Sequence, residues 1–200
     1  MLRTAILVSG GGTNLQALID AAGAGKIPSG ELALVVSNNP GAYALTRAEN
    51  AGIKTAVLAK KELGAAFEKT LIDTLAEHRI DMIVLAGFMS ILSADFTARY
   101  PRRIINVHPA LIPAFCGKGM YGLHVHEAAL RYGVKVSGAT VHYVNEIPDG
   151  GEIILQKAVQ VHRGDTPEQL QRRIMEQAEW KLLPRATELV AKRIMKEKGI

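Results

Sequence analysis

The chain has 200 residues, of which 48% are hydrophobic and 22% are charged, and its formal net charge is +5. These values exclude a disordered chain and predict a globular protein with one sizeable core, which we expect to form a single domain over residues 1–200. The basic residues are not interleaved with aromatic ones, so we expect an anionic small-molecule substrate and no nucleic acid partner.

The cysteine content and the hydropathy pattern indicate the cellular compartment in which the protein acts. The single cysteine, Cys116, excludes an intrachain disulfide framework and is typical of a reducing compartment. No basic leader with a long apolar core opens the sequence, and no apolar run reaches about 18 residues. We therefore expect a cytoplasmic protein with no membrane partner.

Short β-branched runs alternate with helical patterns through the first two-thirds of the chain. The predicted strands cover residues 4–9, 32–37, 55–58, 82–86 and 103–107, and the predicted helices cover residues 14–22, 42–51 and 62–78. This alternation predicts a parallel sheet with helices on both faces. An apolar stripe on the third helix indicates core packing, and it consists of Phe67, Leu71, Ile72 and Leu75.

The last third of the chain has a different pattern. Residues 134–144 alternate like a long strand, and a Gly-rich turn leads into a second strand at residues 152–159, which predicts an antiparallel hairpin at the sheet edge. Asp165 or Thr166 then caps a final helix that has Pro167 in its first turn. The predicted fold class is therefore α/β, with a Rossmann-like, doubly wound, mostly parallel sheet and an antiparallel edge hairpin.

A glycine-rich turn follows the first predicted strand. Its sequence is Ser9-Gly10-Gly11-Gly12-Thr13-Asn14. Glycines let the backbone approach an anion, and free N–H groups at the start of the next helix would point at it. The turn lacks the lysine of a Walker loop and the last glycine of a dinucleotide fingerprint. A tight structural turn and a site for one phosphate monoester both remain open, and we favour the second.

The fifth predicted strand ends in Asn106-Val107-His108-Pro109. Side chains at i and i+2 of a strand point the same way, so Asn106 and His108 face one volume, and Pro109 ends the strand. An amide and an imidazole together suit the stabilisation of an oxyanion with movement of a proton. The alternative is a buried Asn-x-His pair that only satisfies loop carbonyls.

Other candidate residues carry two interpretations each. The apolar loop after the fourth strand, at residues 87–92, suits either a wall for a flat heterocycle or a plug of the core. Asp149 is either an ordinary turn residue or a partner of His108. His142 suits core packing and substrate lining equally.

The remaining histidines and the cysteine are weaker candidates. His124 and His126 have no third ligand at a metal-site spacing, so we expect no metal. Cys116 has no evident activating base, and we do not expect it to act as a nucleophile. The segment at residues 116–122 is a candidate mobile lid.

The motifs, in this order, resemble the glycinamide ribonucleotide formyltransferases, the folate-dependent enzymes of purine biosynthesis. The resemblance runs over nearly the whole chain and is carried by Ser9-Gly10-Gly11-Gly12-Thr13-Asn14-Leu15-Gln16, Val84-Leu85-Ala86-Gly87-Phe88-Met89, Asn106-Val107-His108-Pro109-Ala110-Leu111-Ile112-Pro113, Gly138-Ala139-Thr140-Val141-His142 and Asp149-Gly150-Gly151. It implies a formyltransferase fold in which 10-formyltetrahydrofolate is the co-substrate. It also implies direct attack by the amine of 5'-phosphoribosylglycinamide through a tetrahedral intermediate.

The resemblance implies a role for three sets of residues. The catalytic set is Asn106, His108 and Asp149, in which the carboxylate raises the pKa of the imidazole. The residues that match the substrate site are Gly12, Thr13, Asn14 and Glu179. The residues that match the folate site are Met89, Ser90, Ile91, Leu92, Asn106, Asn145, Glu146, Ile147 and Pro148.

The sequence departs from the family in the region that meets the folate tail. The family often has an arginine and another basic residue where this chain has Gly64 and Ser90, and Lys60 or Lys61 is available to replace the lost charge. The alternatives to transfer are a formyltetrahydrofolate hydrolase, formyl transfer to methionyl-tRNA, and a non-catalytic nucleotide-binding module. Hydrolases usually carry an additional N-terminal domain and need no phosphate loop. Monomer and homodimer both remain open.

Overall fold

Five apolar segments form the parallel part of one central sheet. A computed structural model describes residues 1–199, and Ile200, the last residue of the expected domain, lies outside it. The strands are β1 (Leu2–Val8), β2 (Gly30–Ser37), β3 (Lys54–Val57), β4 (Met82–Leu85) and β5 (Ile104–His108). β1 pairs with β2 and β4, β2 with β3, and β4 with β5, all in parallel. The five predicted strands are confirmed, with ends displaced by two residues or fewer.

An antiparallel hairpin extends the sheet beyond β5. β6 (Val136–Tyr143) pairs with β5, and β7 (Ile153–Gln160) pairs with β6. The strand order is β3-β2-β1-β4-β5-β6-β7, so the order reverses between β1 and β4. The predicted fold class and the edge hairpin are both confirmed, and the reversal places a crevice where ligands of such sheets bind.

Helices connect the strands and close the chain. They are α1 (Thr13–Gly23), α2 (Tyr43–Asn50), α3 (Lys60–Leu63), α4 (Phe67–Glu77), α5 (Ala94–Ala98), α6 (Leu123–Tyr132), α7 (Pro167–Ile174) and α8 (Trp180–Lys198). The single helix predicted over residues 62–78 is wrong, because Gly64 has a φ of 50° and starts a 3-10 turn between α3 and α4. A left-handed glycine interrupts a helix at little steric cost.

The hydrophobic core lies on both faces of the sheet. Alternate residues of β1 point to opposite faces: Ile6 packs in a first cluster with α1, α2 and the C-terminal helices, and Leu7 packs in a second cluster with α4 and α5. Phe67, Leu71 and Leu75 of the predicted stripe are buried in the second cluster, and Ile72 is partly buried against it. Coverage on both faces explains why the strands are almost continuously apolar.

The C-terminal helical region contains an unusual turn. Thr166 caps α7 in a capping box with Gln169, and Pro167 occupies the first turn, as predicted. A π-helical turn (Met175–Glu179) separates α7 from α8. Such turns are rare and often occur at functional sites. Within residues 1–199, no helix is both long and apolar enough to cross a membrane.

Candidate active site

Loops from three strands are tied together at the carboxyl edge of the sheet. The Ser9 hydroxyl, just after β1, accepts a hydrogen bond from the Met89 N–H after β4, at 2.8 Å. The Asn38 side chain, after β2, donates to the Ser90 hydroxyl at 2.8 Å, and Asn39 donates to the Ser9 carbonyl at 3.2 Å. These cross-links hold the loops that border the crevice at the strand-order reversal.

The end of β5 presents the amide and the imidazole to the same side. Asn106 and His108 are two residues apart in β5, and Pro109 follows where the strand ends. The strand register places Asn106 opposite His142 and His108 opposite Thr140 of β6. Ile104, two residues before Asn106, belongs to the second core cluster, so Asn106 and His108 lie on that face of the sheet, and His108 is buried there.

Asp149 folds back over this face and completes a compact polar cluster. Its Oδ2 lies 3.5 Å from Nδ1 of His108, and its Oδ1 lies 3.6 Å from Nε2 of His142. Oδ2 also accepts a hydrogen bond from the Gly117 N–H at 2.9 Å. Asp149 has a φ of 56°, a conformation that non-glycine residues adopt uncommonly and that recurs at functional sites. The structure thus brings Asn106, His108 and Asp149 together.

His142 is the residue of this cluster to which the sequence interpretation gives no catalytic role. Its Nε2 lies 3.2 Å from Nδ2 of Asn106, and its Nδ1 lies 2.8 Å from the Tyr143 carbonyl. His142 is buried and contacts both Asn106 and Asp149. The available signal was spacing, because Thr140 and His142 lie at i and i+2 of a strand that follows Asn106 and His108 in the chain.

A buried threonine fixes the turn that follows His108. The Thr140 hydroxyl donates to the Ala110 carbonyl at 2.7 Å and accepts from the Ile112 N–H at 3.1 Å. Gln156 of β7 donates to both the Thr140 hydroxyl and the Ile112 carbonyl, each at 3.0 Å. These bonds join the end of β5 to β6 and β7 beneath the site, so the backbone that carries His108 is firmly supported.

The titration behaviour of the cluster follows from burial and from its own charges. Burial lowers the pKa of His108 below its usual value, although Asp149 and the Phe115 carbonyl act in the opposite direction. The carboxylate therefore acts in the expected direction, but desolvation outweighs it. Burial raises the pKa of Asp149, but the His142 and His108 imidazoles and the Gly117 N–H outweigh burial and hold it below its usual value.

The segment after β5 contacts both members of the His108–Asp149 pair. The Phe115 carbonyl lies 2.8 Å from Nε2 of His108, and Gly117 donates to Asp149. With acceptors beside both ring nitrogens, a protonated His108 would have a partner for each N–H. Cys116 lies between these contacts, and burial raises the pKa of its thiol, which makes the thiolate scarcer.

The glycine-rich turn is packed tightly against α2. Gly12 caps α1 with a φ of 72°, and a Cβ there would lie 2.7 Å from the Cβ of Ala44. Arg47 of α2 donates to the Gly11 carbonyl at 2.8 Å and to the Gln16 side chain at 3.0 Å. No side chain caps the first turn of α1, so its amides are available to an anion.

Glu179 lies beside this turn, at the end of the π-helical segment. Gly12, Thr13 and Asn14 open α1, and the Asn14 side chain donates to Oε2 of Glu179 at 2.7 Å. Glu179 is only 6% exposed. Burial raises the pKa of its carboxyl to about 7, against the opposing effect of the Asn14 hydrogen bond. The four residues predicted to bind the substrate are therefore neighbours.

The loop after β4 exposes apolar side chains at the crevice. Met89 is 57% exposed and Ile91 is 68% exposed, while Ser90 is held by Asn38. Exposed large apolar side chains next to a crevice are typical of a ligand wall. Leu92 instead packs within the second core cluster, so it supports the loop from beneath.

The loop between β6 and β7 carries the other predicted folate residues. Ile147 is 58% exposed, and its N–H donates to the Asn145 side chain at 3.0 Å. Glu146 and Pro148 are exposed beside it, and Asp149 follows. The loop is therefore ordered by its own turn and anchored by the Asp149 contacts.

His124 and His126 have different surroundings. His124 is exposed and lies 3.2 Å from Oε2 of Glu127, whereas His126 is fully buried and both of its ring nitrogens lack a hydrogen-bond partner within the described chain. Over residues 1–199, no group of three or more metal-ligating side chains is found.

Comparison with known proteins gives consistent matches over most of the chain. The model of the formyl transferase family matches residues 2–187. The phosphoribosylglycinamide formyltransferase of Haemophilus influenzae is 41% identical over 186 residues, which is 92% of this chain and 84% of that protein. The trifunctional purine biosynthetic protein adenosine-3 of Bos taurus is 44% identical over 193 residues, and this chain spans 94% of its own length but 18% of that relative.

A solved structure agrees with the fold as well as the sequence. The glycinamide ribonucleotide transformylase 1 of Symbiobacterium toebii superposes with a TM-score of 0.90 at 41% identity. The match covers 96% of this chain and 89% of that one. The similarity to that structure therefore extends over nearly the whole fold.

Proposed function

Because the chain belongs to the formyl transferase family, we propose that it transfers the formyl group of 10-formyltetrahydrofolate to the amine of 5'-phosphoribosylglycinamide in purine biosynthesis. The observation that carries the proposal is the contact set of Asp149 with His108 and His142, beside Asn106. The same proposal includes a single formyltransferase domain over residues 1–200, acting in the cytoplasm on small molecules, as a monomer or homodimer.

Asn106 and His108 would stabilise the charge that forms during transfer. Attack of the neutral substrate amine on the formyl carbon gives a tetrahedral oxyanion, and the Asn106 amide is a preorganised donor for it. One such donor typically contributes about 10²–10³ in rate. Since burial keeps the pKa of His108 low, the free imidazole is predominantly neutral near pH 7, and it can take up the proton that the attacking amine loses.

Asp149 would hold the proton at the imidazole while the reaction proceeds. Its own pKa lies below the usual value, so the carboxylate stays ionised and stabilises an imidazolium at 3.5 Å. The proton then passes from His108 to the folate nitrogen that loses the formyl group. No covalent enzyme intermediate is required, which agrees with a raised pKa of the Cys116 thiol.

The two substrates would approach the cluster from different loops. The phosphate would bind at the amides of Gly12, Thr13 and Asn14, next to Glu179, which would meet the sugar and glycinamide. The folate ring would lie between the exposed apolar loop at residues 89–92 and the loop at residues 145–148. Both proposals rest on exposure, hydrogen bonding and the family match.

Folate release tests the proposed reaction against its alternatives. The protein is incubated with 10-formyltetrahydrofolate, with and without phosphoribosylglycinamide, and tetrahydrofolate is measured. Release that requires the ribotide supports transfer. Release without it indicates a hydrolase. No release in either case indicates a non-catalytic nucleotide-binding module or an enzyme that uses methionyl-tRNA as the acceptor.

A further inference from the structure

A second cavity lies between α1 and α8, away from the cluster around Asp149. Its volume is about 690 Å³, and it is lined along α1 from Thr13 to Ala21 and along α8 from Trp180 to Leu189. Thr13 is shared with the proposed phosphate-binding turn, but Asn106, His108 and Asp149 do not line the cavity. It extends for about 12 Å along α1, away from the carboxyl edge of the sheet. A cavity of this size suits a small molecule.

Small and rigid residues open this space between the two helices. Ala17 and Ala21 lie at i and i+4 on one face of α1, and Trp180 and Pro184 lie at i and i+4 on the facing side of α8. The short alanine side chains, the indole and the proline ring all line the cavity. The walls are therefore flat and mostly apolar.

Trp180 places a flat aromatic side chain on this apolar wall. Its indole Nε1 is buried and lacks a hydrogen-bond partner among residues 1–199. Pro184 has no N–H, so it cannot donate the helical hydrogen bond that the Trp180 carbonyl would otherwise accept. The flat indole on an apolar wall suits stacking by a heterocyclic base.

The charges around the cavity are predominantly uncompensated cations. Four basic side chains line it, and within the described residues none of them forms an ion pair: Lys26, Arg47, Lys181 and Arg185. Of the two carboxylates in the lining, Glu188 accepts from Ser29 and pairs with Lys192, whereas Asp20 accepts only from the neutral Gln16 amide, so the cations outnumber the one carboxylate without an ion pair. The cavity therefore favours an anion.

We propose that this cavity is a separate binding site for a nucleoside monophosphate, with the base against Trp180 and the phosphate at the unpaired cations. A flat heterocycle alone would not use the positive charge, and a phosphate alone would not use the apolar walls. The site is distinct from the formyl transfer centre, so the proposal does not depend on which reaction the chain performs.

Trp180 reports directly on this cavity because it is the single tryptophan of the chain. The full chain is titrated with AMP, GMP, CMP and UMP while tryptophan emission is followed, and adenosine and inorganic phosphate serve as partial ligands. We expect saturable quenching by at least one nucleotide, and affinities at least about tenfold weaker for adenosine and for phosphate. Equal affinity for phosphate alone, or no response to any nucleotide at millimolar concentration, overturns the proposal.

Charge reversal distinguishes the cavity from other anion sites. The double variant Lys181→Glu/Arg185→Glu should bind the nucleotide at least about tenfold more weakly, while Lys196→Glu, an exposed cation of α8 outside the cavity, should bind within about twofold of the parent. Far-UV circular dichroism verifies that each variant is folded. Equal losses of nucleotide affinity in the double variant and in Lys196→Glu would contradict the proposed site.

Competition with the ribotide separates this site from the proposed substrate site. With phosphoribosylglycinamide in saturating excess, the nucleotide response of Trp180 should persist. Its loss means that the nucleotide was bound at the Gly12 turn, and this outcome overturns the proposal. A fluorescence change that follows protein concentration rather than nucleotide assigns the groove to a second copy of the chain, which also overturns it.

Discussion

Asp149 is the residue on which the polar cluster depends. One carboxylate lies within 3.6 Å of two imidazoles and accepts a backbone N–H, while its left-handed backbone places it in that position. Without this charge, His108 would keep the low pKa imposed by burial with no carboxylate to favour its protonated form. The residue therefore controls how readily His108 accepts a proton.

Replacing the Asp149 carboxylate by an amide tests this role. We expect Asp149→Asn to lower kcat at least about 100-fold, because the imidazolium loses its counter-charge while the side-chain volume is kept. His108→Ala should lose most turnover because it removes the imidazole that accepts the proton. Because neither residue lies at the Gly12 turn, the KM for the ribotide should change little. Steady-state kinetics measure both constants.

An exposed carboxylate provides the control for this substitution. Asp73→Asn removes a charge on α4 that pairs only with Lys69 at the surface, and turnover should remain near that of the parent chain. Turnover of Asp149→Asn at the parent level would remove Asp149 from the mechanism.

Glu179 is the second residue whose chemistry depends on burial. Its pKa of about 7 means that the carboxyl changes charge close to neutral pH. The ionised form accepts hydrogen bonds more strongly than the neutral form. We expect the KM for the ribotide to fall as pH rises through about 7, and Glu179→Gln to remove this contribution and raise KM about tenfold.

The control for Glu179 lies one turn earlier in the π-helical segment. Glu176 is exposed and pairs with Arg172, so Glu176→Gln should keep the parent pH profile. Titration of the substrate affects all variants equally and cancels in the comparison. If Glu179→Gln retains the full pH dependence of the parent, Glu179 is not the titrating group.

At the scale of elements, the Gly12 turn shows how packing constrains a binding loop. A side chain at Gly12 would need both a positive φ and space that Ala44 of α2 occupies. We expect Gly12→Ala to lower the free energy of unfolding by about 1–3 kcal/mol and to raise the KM for the ribotide, because the turn must shift. Denaturant unfolding and steady-state kinetics measure these effects.

Gly10, two residues before Gly12 in the same turn, is the matched control. Gly10 has no heavy atom within 4 Å of an added Cβ and has no positive φ, so Gly10→Ala should be nearly neutral in stability. Equal destabilisation by the two substitutions would show that backbone entropy, rather than the contact with Ala44, decides the outcome.

Elements with a strong local pattern could be predicted, and those set by a single hydrogen bond could not. The apolar strands and the β6–β7 hairpin are encoded by continuous or alternating hydrophobicity. The break at Gly64 interrupts a pattern whose apolar spacing continues into α4, and a π-helical turn shifts one hydrogen bond without a compositional mark. Both features were therefore absent from the predicted elements.

At the scale of the whole molecule, some contacts of the site could be predicted from the sequence and others could not. Asn106 and His108 could be paired from sequence because they belong to one strand, but the link to Asp149 came from the family resemblance. His142 was left open because its contacts depend on the register of β5 with β6, which forms across 36 residues of chain. The net pKa of His108 depends on burial, which only the complete fold determines.

Buried histidine makes the stability of the whole molecule dependent on pH. His126 is fully buried, and burial lowers its pKa from 6.5 to about 4. Because the unfolded chain binds this proton more readily, the contribution of neutral His126 is complete above about pH 6.5 and is lost as pH falls toward about 4. Glu179 has the opposite sign, since its raised pKa adds stability at low pH that is lost as pH rises through about 7.

A comparison of variants separates the pH dependence of stability due to His126 from that due to Glu179. His126→Leu removes the proton site and two unpartnered nitrogens from the core, so we expect it to be at least as stable as the parent at pH 7.5. At pH 5 the stability advantage of His126→Leu over the parent should be larger by about 2 kcal/mol, because each pH unit below 6.5 contributes about 1.4 kcal/mol. Urea unfolding at both pH values measures this, with exposed His162→Gln as the unchanged control. An advantage that does not grow would mean that His126 is not the buried neutral group.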